Sequence, residues 1–193
     1  ATTLPEVHTN ACVHTITQDA SGIEAHTREA SWRAERVIVA VPAPKVCDLR
    51  FEPGLPAPKR QLYARVSMGS TIKCHITFAT HFWRERGLSG ELLSHTGPVT
   101  FTLDNTSVDG AHAALTAFVT GRAAEALGRM TPEERKERIL RQLAQAFGAQ
   151  AAQPTGYLET NWQEVDEAVG GPVGVWAPGS LARYGKHLRE PVG

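Results

Sequence analysis

Hydrophobic and polar positions alternate most cleanly from Ser70 to Phe78. Ile72, Cys74, Ile76 and Phe78 fall on one side, and Thr71, Lys73, His75 and Thr77 on the other. Side chains on a strand point alternately to opposite faces, so this segment predicts a strand with one apolar and one polar face. Cys12 to Thr17 alternates in the same way, Ala20-Ser-Gly22 offers a turn, and Ile23 to Thr27 resumes the pattern, which predicts a β-hairpin. Leu92-Leu93 and Val99 to Leu103 flank Gly97-Pro98 and predict a second hairpin. Ala113 to Thr120 and Tyr157 to Trp162 read as further strands. The run Val37-Ile-Val-Ala-Val41 is apolar at every position and ends at Pro42, which predicts a strand covered on both faces. Pro42, Pro44, Pro53, Pro56 and Pro58 then exclude regular helix or central strand from the segment that follows.

The period changes to that of a helix from Pro132 to about Phe147. Ile139, Leu140, Leu143 and Phe147 form an apolar stripe. Thr131 is the expected N-cap, Pro132 suits the first helical position, and Glu134 completes a capping box. Glu134/Arg138 and Glu137/Arg141 have the favourable i,i+4 order, and Gly148 ends the helix. A shorter helix is predicted over Arg122 to Leu127. Glycines and prolines from Gly170 to Gly179 mark a loop-rich tail. Strands, then helices, then a strand predict an α+β fold: a mixed, mainly antiparallel sheet of about six strands flanked by helices. No linker divides the chain, so residues 1–193 are read as one domain.

Composition narrows the function classes. Twenty basic residues balance 20 acidic ones in 193 residues, so no large positive field exists to attract nucleic acid or an anionic membrane. No run of about 18 apolar residues predicts a membrane span. Cys12, Cys47 and Cys74 are an odd count without CxxC spacing, which fits free, mostly buried thiols in a reducing, cytoplasmic setting. The chain lacks an initiating Met, and it is expected to be a segment of a longer protein.

Few residues announce chemistry. There is no GxGxxG, P-loop, GxSxG or HExxH motif, no metal-ligand spacing, and no pair of carboxylates suited to acid–base work. Each of the eight histidines is read as a surface or partly buried residue without a role. Phe82, Trp83, Phe101, Trp162, Trp176 and Tyr184 could wall a cavity, although core packing is the commoner use of each. Lys73 is the one charged residue between Met68 and Phe78. Most such lysines lie on a solvated face. If this face instead lines a closed pocket, desolvation would favour the neutral amine and allow Lys73 to hold a water or take part in proton transfer.

The ordered series Arg36-Val-Ile-Val-Ala-Val-Pro42, Phe51-Glu-Pro-Gly-Leu-Pro56, Met68-Gly-Ser-Thr-Ile-Lys-Cys74, Phe82-Trp83-Arg84 and Phe101-Thr-Leu-Asp-Asn-Thr106 resembles the flavin-containing monoamine oxidases. Asn161-Trp162, Gly170-Gly171, Pro178-Gly179 and Tyr184-Gly-Lys-His-Leu-Arg-Glu-Pro191 continue it in order, so the resemblance runs from about Cys12 to Pro191. It implies that this chain is the substrate-binding domain, without the Rossmann part that grips FAD and without the C-terminal segment that closes over the flavin. It also implies a catalytic role for Lys73, holding a water near flavin N5. Leu93 and Phe101 would line the substrate cavity. Val13 and Pro42 would lie by the cofactor.

The resemblance further implies that the full-length protein uses FAD to oxidise a primary or secondary amine to an imine or aldehyde, reducing O2 to H2O2. The isolated chain is expected to be inactive and to bind no FAD. Its expected partners are a small-molecule amine and the missing FAD-binding domain. An apolar face left bare by that domain would favour self-association. Two other readings stand beside this one: a stand-alone, non-catalytic binding domain on the same fold, and a polyamine or amino-acid oxidase of the same superfamily.

Overall fold

The computed structural model describes residues 6–193, which divide into two units. The first comprises the chain up to Ser67 together with Gly174–Gly193, and the second is Met68–Val173.

The first unit begins with the expected hairpin of β1 (Thr15–Asp19) and β2 (Gly22–His26), turned where Asp19 Oδ1 accepts the Ser21 amide at 2.7 Å. β3 (Ser31–Ala34) extends it antiparallel, and β4 (Arg50–Glu52) joins β1 in parallel, giving the order β3-β2-β1-β4.

Two expectations fail in this unit. Residues 37–41 form no strand: Ile38 is 90% exposed, and Val37 and Val41 are also open to solvent. An interior strand needs ladder partners and cover on both faces, and among the described residues no strand pairs with this run. The proline-rich segment, conversely, is more regular than expected. It supplies edge strand β4 and helix α1 (Ala57–Tyr63), with Pro56 at the N-cap and Pro58 in the first turn. A proline there loses no intrahelical hydrogen bond, because the first-turn amides have no partner anyway. Leu62 anchors α1 with no exposed surface.

β5 (Val66–Met68) leads into the second unit, whose frame is a five-stranded sheet. Its members are β6 (Thr71–Phe78), β7 (Leu92–Leu93), β8 (Phe101–Asp104), β9 (Ala113–Thr120) and β10 (Gly156–Asn161), in the order β10-β6-β9-β8-β7, with every neighbour antiparallel. The short helix α2 (Phe82–Glu85) follows β6, and α3 (Arg122–Gly128) and α4 (Pro132–Phe147) follow β9. The alternation read from β6 holds: Ile72, Cys74 and Ile76 have no exposed surface and Phe78 has 6%. They pack with Leu115, Ala117 and Val119 of β9 against Leu127 of α3 and Ile139, Leu143 and Phe147 of α4. Phe78, Phe82 and Trp83 meet edge to face with centroids 5.0–5.7 Å apart, so the Phe82-Trp83 pair belongs to the core and not to a cavity wall.

α4 carries the full capping box. Thr131 Oγ1 accepts the Glu134 amide at 3.3 Å, and Glu134 Oε2 accepts the Thr131 amide at 2.9 Å. Thr131→Ala removes one of these and should cost about 1 kcal/mol. A denaturant titration of the variant with an unchanged midpoint would mean that packing alone sets the start of α4.

After the second unit, β11 (Gly174–Trp176) pairs with β5, and α5 (Ser180–Tyr184) runs into a 3-10 turn over Gly185–Leu188. The tail read as loop-rich is therefore partly regular. The cysteine expectation needs a similar correction: all three thiols are free, but only Cys74 is buried, while Cys12 and Cys47 are exposed.

Candidate functional site

The face of the five-stranded sheet opposite α3 and α4 gathers the residues of interest in the second unit. Antiparallel register sets side chains directly across from one another on the same face. Thr160 lies opposite Lys73, Lys73 opposite Phe118, Phe118 opposite Phe101, and Phe101 opposite Leu93. One row thus crosses all five strands. Phe101 and Phe118 stack with centroids 4.3 Å apart and planes 13° from parallel. Lys73 Nζ sits 5.6 Å from the Phe118 ring centroid, within reach of a cation–π attraction. Leu93 closes the row at 87% exposure. A second row, one step along the pleat, contains Leu158, His75, Thr116 and Leu103.

Lys73 is half-buried, and among the described residues its ammonium has no carboxylate partner. Neither row contains an Asp or Glu. The face is therefore apolar and aromatic, with one cation and one imidazole. Leu103 and Leu158 add 44% and 65% exposed apolar side chains to it, a surface suited to being covered.

Three groups hold this face from behind. Gln142 of α4 grips the loop between β7 and β8: its Oε1 accepts the Val99 amide at 2.7 Å, and its Nε2 donates to the Thr96 and Val99 carbonyls at 2.9 Å. Gly97, at φ +76°, makes room for that amide, because a Cβ there would lie 2.6 Å from Gln142 Oε1. Asp104, at the end of β8, accepts from Trp83 Nε1 at 2.9 Å, Arg84 Nε at 2.6 Å and the Thr106 amide at 2.9 Å. Burial works against its charge, but hydrogen bonds from Arg84, Thr106 and Trp83 hold its carboxyl well below the usual range. Under β6 and β10, Arg135 of α4 donates to Glu159 through Nε at 2.7 Å and to the Met130 carbonyl at 2.9 Å. The Tyr157 hydroxyl donates to Glu159 Oε2 at 2.9 Å and lies 3.3 Å from Cys74 Sγ. Burial raises the Cys74 thiol to about 12 and, with Cys74 and Glu159 adding to it, raises the Tyr157 phenol. Both stay protonated at neutral pH.

Of the residues singled out from sequence, Lys73, Phe101 and Leu93 stand in the one row. Val13 and Pro42 belong to the first unit. Val13 is half-buried just before β1, and Pro42 precedes a 3-10 turn, its carbonyl accepting the Lys45 amide at 2.8 Å. Sequence reasoning missed Phe118, the ring that joins Lys73 to Phe101. The alternation of Ala114, Thr116, Phe118 and Thr120 along β9 carried that signal. Among the described residues no group of His, Cys, Asp and Glu could hold a metal ion.

The chain belongs to the flavin-containing amine oxidoreductase family, whose model matches residues 5–193. It is 37% identical over 185 residues to a flavin-containing amine oxidase of Oncorhynchus mykiss, covering 94% of this chain and 35% of that protein. It is 35% identical to a probable flavin-containing monoamine oxidase A of Dictyostelium discoideum, covering 95% of this chain and 41% of the relative. Among solved structures it superposes on cyclohexylamine oxidase from Brevibacterium oxydans with a TM-score of 0.89 at 38% identity, covering 94% of this chain and 40% of that one. It superposes equally well, at 35% identity, on a putrescine oxidase bound to putrescine, covering 95% of this chain and 41% of that one. The chain thus spans roughly two fifths or less of the length of these relatives.

A flavin fits these residues in part. The row offers aromatic planes and an ammonium with no carboxylate partner among the described residues, which suit one wall beside a flat aromatic ring. The sequence has no glycine-rich strand-to-helix turn to hold a pyrophosphate.

Proposed function

We propose that residues 1–193 contribute the substrate-binding part of an FAD-dependent monoamine oxidase. The observation that carries this reading is the row Thr160, Lys73, Phe118, Phe101 and Leu93 on an uncovered sheet face, in a chain of this family. The flavin, when bound in the full-length protein, takes the hydride equivalent from the amine and passes electrons to O2.

The chain's own residues do the rest. Phe101 and Leu93 hold the apolar body of the amine and exclude water. An apolar wall disfavours the charged ammonium and so favours the reactive free amine. Lys73 holds a water and a positive charge on the other side of Phe118 from Phe101 and Leu93. Val13 and Pro42, in the first unit, stand beside the cofactor. The FAD-binding domain is a further part of the same protein, and the grip on FAD comes from it. We place the protein in the cytoplasm.

The absence of Asp and Glu from both rows favours a monoamine over a diamine. The distal ammonium of a diamine would need a carboxylate to replace its water, and here it would meet Lys73 instead.

The test follows peroxide from the full-length protein with cyclohexylamine, benzylamine and putrescine. The monoamines should exceed putrescine by at least about tenfold in kcat/KM, corresponding to one uncompensated charge at partial solvation. The 193-residue chain alone should yield no peroxide. Putrescine as the best substrate would overturn the monoamine assignment, and peroxide from none of the amines would overturn the oxidase reading.

A further inference from the structure

His75 stands one step beyond Lys73 on the open face, about 7 Å along β6. Its cross-strand neighbours are Thr116 on β9 and Leu158 on β10, with Leu103 beyond Thr116 in the same row. Nδ1 lies 3.2 Å from Thr116 Oγ1. Among the described residues Nε2 has no protein partner. Lys73 is the charged group that faces the ring from its own strand, and β9 and β10 present the uncharged Thr116 and Leu158. Burial first, and the Lys73 cation second, lower the imidazole's affinity for a proton, so it is neutral at pH 7. The second row thus sets a neutral ring, with one nitrogen that no described residue bonds, between two exposed leucines.

We infer that His75 sets substrate specificity by hydrogen-bonding, through Nε2, a hydroxyl carried on the apolar body of the amine. The inference rests on the open face being the substrate wall. A hydroxyl serves either tautomer of the ring: it accepts if Nε2 carries the proton and donates if Nδ1 does. Covering the face strips water from Nε2. A substrate that restores the lost hydrogen bond is then favoured over one that leaves the nitrogen unpaired. A second ammonium is not favoured, because Lys73 lies close by.

The experiment uses the full-length, flavin-loaded protein and two matched pairs of amines: cyclohexylamine with trans-4-aminocyclohexanol, and 2-phenylethylamine with its para-hydroxyl derivative. His75→Leu should lower kcat/KM for the hydroxylated member of at least one pair about tenfold relative to its parent, chiefly through KM. His75→Gln, which keeps a donor and an acceptor, should recover part of the loss. An equal loss for both members of each pair would assign His75 a merely structural role and overturn the inference. So would an unchanged ratio in both pairs. Wild-type protein that oxidises neither pair would instead defeat the substrate-wall reading beneath it.

Discussion

Replacing Arg135 by alanine is expected to destabilise the protein by about 3–5 kcal/mol, the usual cost of stranding one member of a buried ion pair. The Arg135 and Glu159 side chains are 7% and 12% exposed, with Arg135 Nη2 2.6 Å from the Glu159 carboxylate. The guanidinium also satisfies the Met130 carbonyl just before α4, and the carboxylate accepts a hydrogen bond from the Tyr157 hydroxyl. Arg135→Ala therefore leaves a buried negative charge beside a phenol and a thiol that both resist ionisation. The double variant Arg135→Met with Glu159→Leu removes both charges and should regain most of the stability, because apolar residues of similar volume commonly replace a buried pair at little cost. Denaturant titration of the two single variants and the double variant forms the cycle that checks this. A loss below 1 kcal/mol for Arg135→Ala would show that water reaches the pair and screens it.

Lys73→Met should slow the reoxidation of reduced flavin by O2 in the full-length protein about 100-fold, the scale lost when one preorganised charge-stabilising group is removed. Passing electrons to oxygen builds negative charge. On the proposed reading, Lys73 offers a nearby cation with no carboxylate partner among the described residues and the Phe118 ring beside it. Methionine has similar length and apolar character, so stability and the rate of flavin reduction by amine should stay within a few-fold. Stopped-flow absorbance separates the two half-reactions, and reoxidation at the wild-type rate would remove Lys73 from the chemistry.

The elements legible in the sequence are those whose cause is local. The period-2 pattern of β6 and the capping box of α4 need only neighbouring residues, and both appear within one residue of the expected bounds. Residues 37–41 depart from the expected strand because a fully apolar run names its environment and not its conformation. A strand there depends on partners that the described residues do not provide. α1 runs against the expectation that prolines break structure, because Pro56 and Pro58 sit where a helix tolerates them. The five-stranded sheet falls near the expected six, and β1 to β4 form a sheet of their own. Lys73, Leu93 and Phe101 came from family resemblance, but their alignment in one row depends on cross-strand register. Phe118 is hard to place for the same reason: only Thr116 and Thr120 mark its side of β9, a weak contrast until β6 and β8 are set beside it.

Lys73 and Cys74 are consecutive, yet one borders the uncovered face and the other lies sealed beneath the helices. Positions 73 and 75 of β6, 103 of β8 and 158 of β10 can therefore be varied while the anchoring layer stays intact. On the proposed reading, a library confined to residues 75, 93, 103 and 158 would explore new selectivities with little risk of misfolding, because none of these side chains belongs to the core packed beneath the helices.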